Sequence, residues 1–300
     1  MTIRNFAQLL DATCQRAPKR VAIVGGGQRE TLHAARMAED MGLAHCILID
    51  NPSRLESVAA EQGIDLTGME ILAEGDMVQA AFKAVEMIHT DEADLVMNGR
   101  ALPVELMKAA LDRDKGLRIG KVISDVSVFE IPDFDRLIFI SDVAIVVSPN
   151  LAQKIAIVQN AIDTAIELGI EQPKVAILAA TEMVNPEMPA SMDAANLSKM
   201  AERGQIRGGL VDGPLALDNA ISVKAARMKG IESRVAGYAD ILITPDVESG
   251  NILAKALSYF AKSRMAAVVV GAKCPIVMPS RSDPPEQKML SLALGVYLSK

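Results

Sequence analysis

Short, uniformly apolar runs alternate along this chain of 300 residues with longer amphipathic stretches, and the alternation predicts an α/β fold. Phe6, Leu9, Leu10 and Cys14 recur at helical spacing, which predicts an opening helix with Cys14 turned to the core. Val21-Ala-Ile-Val24 reads as a buried strand, followed by Gly25-Gly26-Gly27 and a helix from Glu30 to Met41 that Gly42 closes. Further strands are expected at Cys46–Ile49, Glu70–Leu72, Asp94–Met97, Val122–Phe129 and Leu137–Ile140, with helices over Met77–Thr90 and Pro103–Leu111. The same grammar then begins again. A helix over Leu151–Leu168 carries Ile155, Val158, Ile162 and Ile166 on one stripe, and Lys174-Val-Ala-Ile-Leu178 echoes the first strand. Strands at Gly209–Val211, Ile241–Thr244, Ala267–Val270 and Ile276–Met278 precede a last helix over Pro284–Leu298.

Apolar strands without polar alternation are buried on both faces, so the pattern predicts parallel sheet under helices on either side. No Gly/Ser tract, charge block or low-complexity stretch separates the two runs. The reading is therefore two α/β domains joined without a flexible tether, with an active cleft between them.

Composition narrows the function. Half the residues are apolar but only 3% are aromatic and none is Trp, so aliphatic side chains and sixteen Met must fill the core. A net charge of −7 and the lack of aromatic platforms argue against nucleic acid as a partner. Local Arg residues and helix termini still permit a small anionic substrate. Cys14, Cys46 and Cys274 are odd in number and widely spaced, and His33, His45 and His89 do not cluster with them. Reduced thiols, no metal and a cytoplasmic location are expected. Arg4, Asp11, Gln15 and Arg16 interrupt any leader-like apolar segment, and no run nears the ~20 apolar residues of a membrane span.

The turn Gly25–Gly27 invites a dinucleotide reading, but the fingerprint needs glycine where Glu30 stands, and a carboxylate there repels a pyrophosphate. The polar residues concentrate instead in the last third. Three clusters there each follow or precede an apolar strand: Val211-Asp-Gly-Pro-Leu-Ala-Leu-Asp-Asn-Ala220, Ala239-Asp-Ile-Leu-Ile-Thr-Pro-Asp-Val-Glu-Ser-Gly-Asn-Ile-Leu-Ala-Lys255 and Gly271-Ala-Lys-Cys-Pro-Ile-Val-Met-Pro-Ser-Arg-Ser-Asp283. Asp212–Pro214, Pro245–Asn251 and Pro279–Asp283 are expected just past strand carboxyl ends, where open α/β sheets hold their ligands.

These motifs resemble those of the phosphate acetyl/butyryltransferases, and most of all the short butyryltransferase branch. Weaker similarity runs through Leu111-Asp-Arg-Asp-Lys-Gly-Leu-Arg118, Ser148-Pro-Asn-Leu151 and Met200-Ala-Glu-Arg-Gly204, so it covers nearly the whole chain. The resemblance implies two three-layer α/β/α domains like those of isocitrate and isopropylmalate dehydrogenases. Residues 1–122 with 284–300 would form the first, completed by the terminal helix, and 123–283 the second, carrying most of the motifs. It also implies a homodimer, no permanently bound cofactor, and coenzyme A as a substrate. The implied reaction is acyl-CoA plus phosphate giving acyl phosphate plus CoA, with butyryl or a similar short chain favoured over acetyl.

By resemblance and by chemistry, Asp283 takes the CoA thiol proton, Ser280 donates to the developing oxyanion, and Arg281 holds the phosphoryl group. Free N–H groups of the terminal helix would add to the anion site. Asn251, after a flexible Gly250, supplies a further donor, and Asp212, Gly213, Pro214, Asp218 and Lys255 complete the substrate-binding set. Asp283 also heads a capping-box arrangement with Glu286, which is itself a lesser candidate base. Asp212 and Asp218 serve equally well as turn or cap residues, and Lys255 as a solvated one. Asn98-Gly-Arg-Ala-Leu-Pro-Val104, Ser124-Asp125, Ala254 and Gly25–Gly27 depart from the branch pattern, which leaves open a CoA-binding protein without turnover. A dehydrogenase of the related fold would need clustered metal-binding aspartates and a nucleotide loop, and neither pattern is found.

Overall fold

Val21 to Val24 have no contact with water: their strand, β1 (Lys19–Val24), lies between two parallel neighbours, and the helix over Met77–His89 packs against it. A computed structural model describes residues 2–300, which divide into two compact units. One comprises Phe6–Lys121 with Ala266–Lys300, the other Val122–Met265 with the first residues through Asn5.

The first unit opens with α1 (Phe6–Cys14), β1, α2 (Arg29–Asp40), β2 (Ala44–Asp50), α3 (Pro52–Gln62), β3 (Glu70–Ala73), α4 (Met77–His89), β4 (Leu95–Asn98) and α5 (Pro103–Ala110). The second unit contains β5 (Ser124–Glu130), β6 (Ile138–Ser141), α6 (Leu151–Glu167), β7 (Lys174–Leu178), α7 (Pro189–Glu202), β8 (Leu210–Leu215), α8 (Leu217–Ile221), α9 (Val223–Met228), β9 (Ile241–Ile243) and α10 (Val247–Tyr259). The chain then returns to the first unit through β10 (Arg264–Val270), β11 (Ile276–Val277) and α11 (Pro285–Leu298).

In the first unit the strand order is β3-β2-β1-β4-β11-β10. Val21 pairs with both Cys46 and Leu95, and Ile276 with Val96, all in parallel register. In the second unit the order is β5-β6-β9-β7-β8. Two antiparallel pairs interrupt the expected parallel arrangement: β10 with β11, and β5 with β6. Their connections, Gly271–Pro275 and Ile131–Leu137, are too short for the crossover that parallel neighbours need.

The β11–β4 pairing also moves a boundary. Gly271–Asp283 was expected with the second domain, but the units divide at Met265 and Ala266, so this segment belongs to the first. Its terminal helix is buried continuously from Lys288 to Val296 and packs on α1 and α2. Each buried Leu or Val there contributes about 1.5–3 kcal/mol relative to exposure. Cys14, expected in the core, is exposed; Phe6, Leu9 and Thr13 form the buried stripe, with the Thr13 hydroxyl donating to the Leu9 carbonyl at 2.6 Å. Among the described residues no helix is long and apolar enough to cross a membrane.

Candidate active site

The loop from β11 to α11 folds back on itself around Ser280. Asp283, 5% exposed, turns its carboxylate to the Ser280 N–H at 2.8 Å, and its own N–H donates to the Ser280 carbonyl at 3.1 Å. The same carbonyl accepts from Lys288 Nζ at 2.9 Å. Both peptide groups of Ser280 are thus held by buried ionisable side chains, while its Oγ lies 3.1 Å from Ser282 Oγ. Arg281 is exposed, and its carbonyl accepts from Gln28 Nε2 at 3.4 Å. The loop borders a recess of about 520 Å³ also lined by Arg29, Glu30 and His33.

The N-cap position of α11 is Pro284, whose side chain makes no cap, and the Asp283 carboxylate reaches back to Ser280. The expected anion site of free helix N–H groups is also thinner than supposed. Pro284 and Pro285 carry no N–H, and those of Gln287 and Lys288 both donate to the Pro284 carbonyl at 3.1 Å.

A second polar constellation of this unit gathers at the carboxyl ends of β1, β2 and β4. Asp50, fully buried, accepts the Gly27 N–H and the Asn51 N–H at 2.8 Å each. Arg100 grips both its oxygens, Nε to Oδ2 at 2.8 Å and an Nη to Oδ1 at 2.7 Å. Burial opposes the Asp50 charge, but the Arg100 fork and the two N–H donors outweigh it and hold the carboxyl below its ordinary value of 3.8. Arg54 Nε donates to the Gly27 carbonyl at 2.9 Å, and buried Asn98 spans to the Ala101 carbonyl at 3.1 Å. A Cβ on Gly99 would sit 2.2 Å from the Gly25 carbonyl oxygen, so only glycine lets the two turns meet.

In the second unit Asp246 caps α10, accepting the Ser249 N–H at 2.8 Å and the Ser249 hydroxyl at 2.7 Å. Gly250 is helical rather than a flexible hinge. A Cβ there would stand 2.4 Å from the Asp142 carbonyl oxygen, so the missing side chain lets α10 approach the end of β6. Asn251 is exposed and its amide donates to the Val143 carbonyl at 3.2 Å; Lys255 lies one turn further along the same helix face. Asp142 accepts the N–H groups of Ala144, Ile145 and Val146 at 2.9–3.0 Å. Burial outweighs those donors and raises its carboxyl above the usual range. Asp125, also buried, accepts from the Ser127 hydroxyl at 2.8 Å; burial, then the nearby Asp142 charge, push it well above the usual range.

Among the described residues no group of His, Cys, Asp and Glu is arranged to hold a metal ion. The model of the phosphate acetyl/butaryl transferase family matches residues 72–296. The chain belongs to that transferase family. It is 42% identical to the phosphate butyryltransferase of Clostridium acetobutylicum over 297 residues, which cover 99% of each chain. It is 50% identical to the phosphate acetyltransferase of Thermotoga maritima over 221 residues, 74% of this chain and 75% of that one. A branched-chain phosphotransacylase from Enterococcus faecalis V583 superposes with a TM-score of 0.82 at 30% identity, covering 93% of this chain and 98% of the other.

In this member of the transferase family, Ser280, Arg281 and Asp283 share one loop of the first unit. Gly250, Asn251 and Lys255 share one helix of the second. Asp212, Gly213 and Pro214 lie inside β8, not beyond it, because the strand continues through them to pair Leu215 with Leu178. The Asp212 carboxylate accepts the Gly213 N–H at 2.8 Å and the Ser233 hydroxyl. Asp218 accepts the Asn219 N–H at 2.8 Å and pairs with Lys229 at 3.2 Å, which holds its carboxyl below the ordinary range. Both aspartates therefore have work to do in local structure. Sequence reasoning missed Asp50, Arg54 and the buried Lys288. The signal for Asp50 was present: an acidic residue ends the apolar run Ile47-Leu-Ile, at the strand end where polar groups converge.

Proposed function

We propose that this transferase moves a short acyl group reversibly between coenzyme A and inorganic phosphate, with butyryl or a similar chain preferred to acetyl. The observation that carries the reading is the Ser280–Asp283 loop, with a buried carboxylate, a hydroxyl and an exposed guanidinium within four residues, in a chain of this family. The preference for butyryl rests on the resemblance of the Asp212–Ala220, Pro245–Lys255 and Gly271–Asp283 motifs to those of the butyryltransferase branch.

In the direction that converts acyl phosphate to acyl-CoA, the CoA sulfur attacks the carbonyl carbon of the acyl phosphate, a C–S bond forms, and the C–O bond to phosphate breaks, releasing phosphate. Asp283 receives the thiol proton, which an ordinary thiol near pKa 8.5 would otherwise retain at neutral pH. The Ser280 hydroxyl donates to the carbonyl oxygen as charge develops there, and Arg281 stays with the departing phosphate. Within the second unit, the family resemblance assigns a donor role to Asn251 and substrate-binding roles to Asp212, Gly213, Pro214, Asp218, Gly250 and Lys255. No cofactor is held between turnovers. On family resemblance the two units correspond to the domains of an isocitrate dehydrogenase-like fold, and the enzyme works as a cytoplasmic homodimer.

The test is phosphate-dependent release of CoA from acetyl-, propionyl-, butyryl- and isobutyryl-CoA, followed through the free thiol. Turnover fastest with butyryl- or isobutyryl-CoA is expected. Folded protein that binds CoA but releases none from any of the four would overturn the assignment. Arg281→Ala should lower kcat/KM by ~100-fold or more; wild-type kinetics in that variant would remove Arg281 from the site.

A further inference from the structure

Lys288 is completely buried on the first turn of α11. Nothing about that position favours lysine. A cation opposes the helix dipole near an N-terminus, and a buried ammonium loses its hydration. Its neighbours Met289 and Leu290 show that the surrounding core accepts apolar side chains. Burial pushes the Lys288 amine below the ordinary lysine range, while the charges facing it, Asp283 on the loop and Glu30 on α2, pull it back up.

What offsets these costs lies at Ser280. Lys288 Nζ holds the Ser280 carbonyl at 2.9 Å and Asp283 holds the Ser280 N–H at 2.8 Å, so one residue is clamped from both sides by opposite charges. We propose that Lys288 is a positioning residue of the acyl-transfer site: its ammonium fixes the Ser280 peptide against Asp283 and keeps the Asp283 carboxylate ionised to receive a proton. It touches neither substrate; it acts through the loop.

The inference rests on the proposed roles of Ser280 and Asp283, so its test includes one readout that needs no turnover. Aspartate labelled with ¹³C at the carboxyl, with the Asp283→Asn spectrum to assign the resonance, reports Asp283 ionisation in the full-length protein. In Lys288→Gln, which keeps a hydrogen-bond donor but no charge, the midpoint should move to higher pH because a neighbouring cation has gone. An unmoved midpoint overturns the proposal. In the turnover assay Lys288→Met should lose ~100-fold or more in kcat/KM and Lys288→Gln ~10-fold. The acid limb of the pH profile should move to higher pH in both. Equal losses in the two variants with a wild-type profile would mean packing alone and would overturn it. If the Met variant fails to fold, the Gln variant and its titration carry the test. A wild-type protein without turnover counts against the acyl-transfer reading, and the carboxyl titration still decides the coupling of Lys288 to Asp283.

Discussion

Asp50 and Asp125 are both buried aspartates of apolar strands, one at the end of β2 and one near the start of β5, yet their carboxyl groups shift in opposite directions. Burial disfavours the charge in each. Asp50 answers it with the two-pronged Arg100 contact and two backbone N–H groups. Asp125 has the Ser127 hydroxyl, and a second carboxylate, Asp142, near enough to raise it further. Burial alone thus decides neither charge nor stability; the partner does. The sign of the pH dependence follows. Asp50 contributes stability present above 3.8 and lost as pH falls through its lowered folded value. The contribution of Asp125 is fully present below 3.8 and lost as pH rises through its raised folded value.

The largest expected effect comes from breaking the contrast at its stronger end. Arg100→Ala strands a fully buried carboxylate and should cost about 3–5 kcal/mol in denaturant unfolding. The double variant Asp50→Asn with Arg100→Ala should cost clearly less, since no lone charge remains buried. A double variant as unstable as the single one would show that Arg100 acts through packing instead. On the Asp125 side, Gly250→Ala drives a methyl group toward the Asp142 carbonyl and should cost about 1–3 kcal/mol; unchanged stability would mean that α10 shifts freely. The smallest effect has the opposite sign. Asp125→Asn removes an unfavourable buried acid and should raise Tm at pH 8 by roughly 2–4 °C, with less gain at pH 4. A lower Tm at pH 8 would show that the charged form is stabilised after all.

Much of the fold was legible because local burial repeats itself in the code. The strands at Val21, Cys46, Leu95 and Ile241 are continuous apolar runs, and such runs belong to strands covered on both faces. The helices ending at Gly42 and Gly169 announce themselves by glycines whose φ values are 67° and 88°. Cys14 was misplaced because one turn of a helix offers several apolar stripes, and only packing chose the one through Thr13. The Ser280-Arg-Ser-Asp283 segment was visible as a candidate site, but its hydrogen bonding was not. A carboxylate preceding two prolines reads as a cap, and its backward bond to Ser280 appears only in the fold.

The order of residues by itself determined the α/β class, the positions of most strands, the family, and the loop that carries the candidate chemistry. These depend on periodicity and on contiguous motifs, which are properties of neighbours along the chain. Tertiary structure alone decided that β11 joins β4 and so brings the last motif to the first unit. It alone joined Asp50 to Arg100 and Ser280 to Lys288. Strand pairing and buried polar contacts bring together residues that no helix or strand period makes neighbours. Their energy depends on distance and desolvation, which no local pattern of residues records.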